Sequence, residues 1–250
     1  MSDLKIFSDN IPINGKRIIV RLDLNVPLNE SGIEDDTRIK LVEPFINKLL
    51  EKKAKVILLS HLGRPKGQVV SKLSLKPVFN FLEKKLKAKI YFYKGNIDNK
   101  AEEASNKLNP GEVLLFENIR FFKEEESNDE LFAKKLSNLG DIYINEAFSC
   151  SHRKQASINK ITEFIDSYGG PALEREVESI ELIIKNKKTP VTCIIGGSKV
   201  STKINILSSL SKTSDTLVIV GAMANNFLKL EGKNVGSSLI EEGSGIAVKN

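Results

Sequence analysis

Short continuous runs of apolar, often β-branched residues, separated by segments with helical spacing, are the feature that most narrows the folds open to this chain. The runs lie at residues 17–26, 55–60, 89–93, 112–117, 141–147, 191–195 and 216–220. Continuous rather than alternating apolarity marks strands buried on both faces. Between the runs, residues 39–53 set Leu41, Val42, Phe45, Ile46, Leu49 and Leu50 on one side of a helix. Residues 75–87 and 130–139 behave alike. Strand-helix alternation predicts an α/β protein with a doubly wound parallel sheet.

One helical segment stands apart. Residues 172–187 carry Leu173, Val177, Ile180, Leu182, Ile183 and Ile184 at helical spacing. Gly169-Gly170-Pro171 precedes the segment and Thr189-Pro190 follows it, which marks a start and a stop. This segment is read as a connector at 169–188 between an N-terminal domain at 1–168 and a second domain at 189–250. One more crossover helix in a single sheet is the alternative the spacing leaves open. After Pro190 come two strands and two or three helices, the last at 245–249. That is few for a doubly wound sheet, so the second domain is expected to be incomplete.

The net charge of +6 admits two readings, nucleic-acid binding or a local site for small anions. The kind of cation separates them. Of 38 basic residues only seven are arginine: Arg17, Arg21, Arg38, Arg64, Arg120, Arg153 and Arg175. The lysines fall in runs such as those at 51–53 and 83–85, which read as solvated helix faces. Arginine's planar fork grips carboxylate and phosphate at two points, as lysine does not. A module for single-stranded nucleic acid should interleave aromatics with its cations. This chain has no Trp and four scattered Tyr, so no nucleic-acid partner is expected. No stretch reaches the 18 or so apolar residues of a membrane span. The two cysteines, Cys150 and Cys193, make no CxxC pair. Together these predict a cytoplasmic protein without membrane partners or disulfides.

The arginines gather after the early strands. The first run ends in Arg21-Leu22-Asp23-Leu24-Asn25-Val26-Pro27, the second in Ser60-His61-Leu62-Gly63-Arg64-Pro65. The fourth leads to Glu117-Asn118-Ile119-Arg120, the fifth to Asn145-Glu146-Ala147-Phe148 and then Ser151-His152-Arg153. Ligands of open parallel sheets bind beyond the carboxyl ends of the strands. Arg64, Arg120 and Arg153 therefore arrive at the binding edge, with His61 and His152 beside two of them. Arg38 opens the first crossover helix and is expected at the same edge. Asp23 and Asn25 add acceptors for a substrate hydroxyl, or make a turn before Pro27.

The second domain opens with Ile194-Ile195-Gly196-Gly197-Ser198-Lys199-Val200-Ser201-Thr202-Lys203. This reads as strand, glycine turn and helix, with the helix N-terminus free to meet phosphate. Lys199 and Lys203 are four apart and are expected on one helix face. GxxxxGK[ST] spacing is absent, and so is a GxGxxG after a strand, which argues against a Walker A loop and a dinucleotide dehydrogenase.

The stretches RLDLNVPL, DDTRI, SHLGRP, LLFENIRF, NEAFSCSHR, GGSKVSTKI and MANNFL, in this order, resemble phosphoglycerate kinases over the whole chain. Glu146, Cys150 and Gln155 depart from the residues usual in that family. The resemblance implies two Rossmann-like domains joined by a long helix, with hinge closure across a cleft. It implies reversible phosphoryl transfer between 1,3-bisphosphoglycerate and ADP, giving 3-phosphoglycerate and ATP. MgATP and MgADP would be co-substrates, no metal ligand is identified in this segment, and a monomer is expected. The implied triose site is Asp23, Leu24, Asn25, Arg38, His61, Leu62, Gly63, Arg64, Arg120 and Arg153. The implied nucleotide site is Gly196, Gly197, Lys199 and Lys203, with Arg38 and Lys203 on the migrating phosphoryl group. Residues 1–250 alone are expected to bind the triose phosphate without turning over.

Overall fold

The computed structural model describes residues 4–29, 32–185 and 189–243. The chain divides into two compact units, Met1–Glu178 and Ser179–Asn250. The first holds β1 (Arg17–Arg21), the antiparallel pair β2 (Leu28–Asn29) and β3 (Gly32–Ile33), α1 (Thr37–Glu51) and β4 (Lys55–Leu59). Next come α2 (Lys76–Lys85), β5 (Ile90–Tyr93), α3 (Asn99–Asn106) and β6 (Val113–Phe116). It ends with α4 (Lys123–Glu126), α5 (Glu130–Ser137), β7 (Ile142–Asn145) and β8 (Ser167–Gly169). α6 (Pro171–Lys185) contains the division between the units.

Six strands form one parallel sheet in the order β5-β6-β4-β1-β7-β8. Successive residues on a strand point to opposite faces. Ile18 and Val20 join Val42, Phe45, Ile46 and Leu49 of α1 and Val78, Phe79 and Leu82 of α2. Ile19 joins Ala101 of α3 and Phe132, Ala133 and Leu136 of α5 on the other face. Ile18, Ile19 and Val20 are fully buried, each contributing about 1.5–3 kcal/mol. Right-handed crossovers dictate this split: strands added in one direction carry helices on one face, and the return carries them on the other. The direction reverses between the neighbours β1 and β7, the switch point where such sheets bind ligands. Arg21 is in register with both Leu59 and Asn145, so the carboxyl ends of β1, β4 and β7 are level.

The run at 17–26 is strand only to Arg21. Leu22 still donates to the Leu59 carbonyl, but the Asn25 N–H turns to the Asp23 carboxylate. Leu22, Leu24 and Val26 stay in the core without a ladder, so their apolarity reports burial rather than strand. Leu41 is 58% exposed, because the buried stripe of α1 runs through Ile39, Val42, Phe45, Ile46 and Leu49. α3 is a further helix, its sequence almost wholly polar, started by the Asp98 carboxylate accepting the N–H groups of Lys100 and Ala101.

The second unit contains β9 (Thr192–Gly196), α7 (Ile204–Thr213), β10 (Thr216–Val220) and α8 (Ala222–Leu230). β9 and β10 pair in parallel, and Val200, Leu207 and Met223 are the buried apolar residues that cluster beside them. The helix expected at 245–249 lies outside the described residues.

Candidate functional site

Arg21, the last residue of β1, has no solvent exposure. Its Nε donates to Ser157 Oγ at 2.9 Å, one Nη donates to the Leu22 carbonyl, and the other reaches His61 Nδ1 at 3.4 Å. His61 follows β4 and is 3% exposed. The preceding Ser60 hydroxyl donates to the Leu22 carbonyl and accepts the Leu24 N–H, both at 2.9 Å, lashing together the loops after β1 and β4. Arg120 sits in a 3-10 turn after β6, 2% exposed. It donates to the Gly63 carbonyl at 3.0 Å and to Gln155 Oε1 at 3.3 Å, while its buried Nε has no partner among the described residues. Arg153, half-buried, is near enough to act electrostatically on both His61 and Arg120. Burial, then Arg21 and Arg120, push the His61 pKa down to about 2 against the opposing pull of Asp23. The imidazole is therefore neutral among cations.

Arg38 lies in the first turn of α1 and pairs with Asp23, whose carboxylate also accepts the Ser149 hydroxyl after β7. Burial raises the Asp23 pKa, but the Ser149 hydrogen bond, the Asn25 N–H and the charge of Arg38 outweigh it and leave it below the usual carboxylate range. Asn25 Oδ1 accepts the Gly63 N–H at 2.8 Å. Gly63 has φ +62°, a conformation that favours glycine, and a Cβ there would fall 2.7 Å from Leu73 Cδ2 and push that side chain aside.

The structure thus gathers Asp23, Asn25, Arg38, His61, Gly63, Arg120 and Arg153 at the switch point. It leaves other expected residues out. Arg64 is exposed and makes no hydrogen bond or ion pair among the described residues. His152 is likewise exposed and unpaired, so only one of the two histidines belongs to the cluster. Leu24 and Leu62 are core side chains, and the Leu24 N–H and Leu62 carbonyl are already bonded to Ser60 and Asn118. Arg21, Gln155 and Ser157 are present without having been expected. Arg21 carried one signal, a charge inside an apolar run; Gln155 carried only its departure from the residue usual in the family, and Ser157 none.

Glu146, just past β7, is 5% exposed, and its carboxylate accepts the Ala172 N–H at 3.0 Å at the start of α6. Burial, opposed by that N–H and by Arg175, lifts its pKa from 4.5 to about 7. A raised folded pKa means the folded chain holds the proton more tightly than the unfolded one. The associated stability is fully present below pH 4.5 and is lost as pH rises through about 7. At about 1.4 kcal/mol per tenfold change this is on the order of 3 kcal/mol. Urea unfolding at pH 5 and pH 8 is expected to show that loss in the native chain and a flattened profile in Glu146→Gln. Parallel profiles for the two would refute it.

In the second unit, β9 ends at Gly196, and the Gly197 carbonyl accepts the Met223 N–H at 2.9 Å. A Cβ on Gly197 would lie 2.9 Å from Met223 Sδ and 3.3 Å from Lys203 Cε, so the Lys203 side chain lies directly over this turn. The expected helix face bearing Lys199 and Lys203 does not form. α7 starts at Ile204, Lys203 ends the turn before it, and Lys199 is exposed ahead of that turn. Buried Val200 and the bonds from Ser201 to the Glu241 carboxylate hold that turn instead.

A family model described as phosphoglycerate kinase matches residues 8–249. A phosphoglycerate kinase of Rhizobium meliloti (strain 1021) is 48% identical over 237 residues, covering 95% of this chain and 59% of the relative. One from Moorella thermoacetica is 43% identical, covering 95% of this chain and 61% of the relative. Among solved structures, phosphoglycerate kinase from Coxiella burnetii superposes with a TM-score of 0.81 at 37% identity, over 98% of this chain and 62% of that one. The enzyme from Pyrococcus horikoshii OT3 gives 0.82 at 27% identity, over 92% and 59%. The chain thus spans about three-fifths of the length of these relatives.

Proposed function

Because this chain belongs to the phosphoglycerate kinase family, we propose that the whole protein transfers a phosphoryl group reversibly between 1,3-bisphosphoglycerate and ADP. The first unit takes the triose phosphate, 3-phosphoglycerate or 1,3-bisphosphoglycerate, and the second contributes to holding ADP or ATP. Magnesium comes with the nucleotide as MgADP or MgATP. The family reading also carries a cytoplasmic monomer with neither nucleic acid nor membrane as partner. Among the described residues no helix is long and apolar enough to cross a membrane.

One observation carries the triose reading: Arg120 and Arg153 act at close range on a neutral His61 at the strand ends, and a buried guanidinium N–H of Arg120 lacks an acceptor among the described residues. An orphaned donor there costs about 1–3 kcal/mol, which a phosphate oxygen would recover. Arg120, Arg153 and His61 hold the phosphate that does not react, with Arg64 joining them once its exposed side chain turns inward. Asp23 and Asn25 orient the hydroxyl and carboxyl end.

In the direction that consumes ATP, a carboxylate oxygen of 3-phosphoglycerate forms a bond to the γ-phosphorus. The bond from that phosphorus to the β,γ-bridging oxygen breaks, and ADP leaves with the electron pair. The nucleophile is already ionised, so no general base is needed. The protein's task is positioning and charge neutralisation, carried by Arg38 and Lys203. Gly196 and Gly197 leave room for the nucleotide's phosphates, and Lys199 supplies further charge.

Calorimetric titration of the chain tests this reading. 3-Phosphoglycerate is expected to bind at least about 100-fold more tightly than D-glycerate, which lacks the phosphate. Arg120→Met is expected to remove most of that difference. Equal binding of the two ligands would sink the assignment.

A further inference from the structure

Glu124, Glu125 and Glu126 are consecutive, yet Glu125 alone is buried, with no exposure at all, while its neighbours face solvent. Its carboxylate accepts Ser157 Oγ at 2.6 Å and the Ser157 N–H at 2.8 Å. The same Ser157 oxygen accepts Arg21 Nε at 2.9 Å, and Arg21 reaches His61 Nδ1 at 3.4 Å. A buried line of carboxylate, hydroxyl, guanidinium and imidazole therefore runs from α4 to the loop after β4. Tyr143 adds to it by donating to the Ser157 carbonyl at 2.7 Å.

With Glu125 ionised, the proton inventory along this line allows one arrangement. The single Ser157 hydroxyl proton goes to Glu125, which leaves a lone pair for Arg21 Nε. A guanidinium has donors and no acceptor. Arg21 can therefore only donate to His61 Nδ1, so the ring proton of the neutral imidazole is on Nε2. The other charged groups acting on His61 are Arg120, Arg153 and Asp23. None of them is hydrogen-bonded to the ring.

We propose that Glu125, acting through Ser157 and Arg21, is a positioning residue that holds His61 in the Nε2–H tautomer, and that this N–H donates to the phosphate of the triose. The ligand in the second clause rests on the reading given under Proposed function; the tautomer does not. The role differs from that of a stabilising ion pair, because it predicts which ring nitrogen carries the proton.

Long-range 1H–15N correlation spectra of the whole 250-residue chain, labelled with 15N-histidine, read this directly. Two histidines are present, and His152→Asn identifies the second. At pH 7 His61 is expected to show a bare Nδ1 and a protonated Nε2. Ser157→Ala and Glu125→Gln are expected to mix in the Nδ1–H form and to weaken 3-phosphoglycerate binding about tenfold. Ser157→Thr, which restores the hydroxyl, should restore the native pattern. A native His61 protonated at Nδ1, or at both nitrogens, overturns the proposal whether or not any variant folds. So does an unmixed Nε2–H pattern in the folded Ser157→Ala and Glu125→Gln chains. Binding of 3-phosphoglycerate that leaves the Nε2–H resonance unmoved defeats the ligand clause. The expected pattern with no binding upholds the tautomer and defeats the triose reading instead.

Discussion

Lysine in place of Arg38 is expected to lower kcat for phosphoryl transfer by about 100- to 1,000-fold while changing affinity for 3-phosphoglycerate by roughly threefold or less. Arg38 stands in the first turn of α1 with its side chain 46% exposed, and its guanidinium is held by Asp23. Asp23 stays ionised at neutral pH, since the Ser149 hydroxyl, the Asn25 N–H and Arg38 itself outweigh the effect of its burial. The guanidinium is thereby aimed without being covered. Lysine keeps the positive charge, so the ground-state attraction for the triose survives. It loses the planar pair of donors, which matters most where charge spreads over the equatorial oxygens of the migrating group. Both constants can be measured on the whole protein with a coupled ADP assay and a binding titration. Near-normal kcat in a folded Arg38→Lys protein would remove Arg38 from the transition state.

Arg21→Leu is expected to destabilise the fold by about 3–5 kcal/mol, a large part of the total for a domain of ordinary stability. Arg21 is fully buried and serves three acceptors, on Ser157, Leu22 and His61. Removing it strips the enclosed carboxylate of Glu125 of its larger countercharge and leaves the weaker pull of Arg120. Burial is the first cause holding the Glu125 pKa above its ordinary value, with Arg21 working against it, so the loss of Arg21 pushes it further up. The double variant Arg21→Leu with Glu125→Leu should recover part of the loss, because the orphaned charge goes too. Urea unfolding of the two singles and the double closes the cycle. A loss below about 1 kcal/mol in Arg21→Leu, or strict additivity, would show that these groups do not form one network.

Much of the architecture was legible because it rests on local patterns. Apolar runs such as 55–60 had to be buried on both faces, and the segments between them had one apolar side, so a doubly wound sheet followed. His61, Arg120 and Arg153 were found by their position after strands, since the carboxyl ends of a parallel sheet converge on one edge. Local patterns failed where burial was decided from far away. Within a run apolar on both faces, the depth of Arg21 has no periodic signature. Its partner Ser157 is 136 residues distant. Glu125, between two exposed glutamates, reads as part of a solvated acidic turn. His152 and Arg64 share strand-end positions with true members of the cluster, yet they point to solvent.

What the sequence by itself determined was the order and kind of the elements and the family to which they belong. Both are written in short-range spacing and in motifs that survive as strings of residues. The tertiary structure alone decided which charges went inside and which donors remain for a ligand. It ended β1 at Arg21, replaced the expected Lys199–Lys203 helix face with a turn, and turned one of three consecutive glutamates inward. The physical reason is that a charge enters a core only where distant groups supply its hydrogen bonds. Those groups are brought together by the sheet and not by the chain.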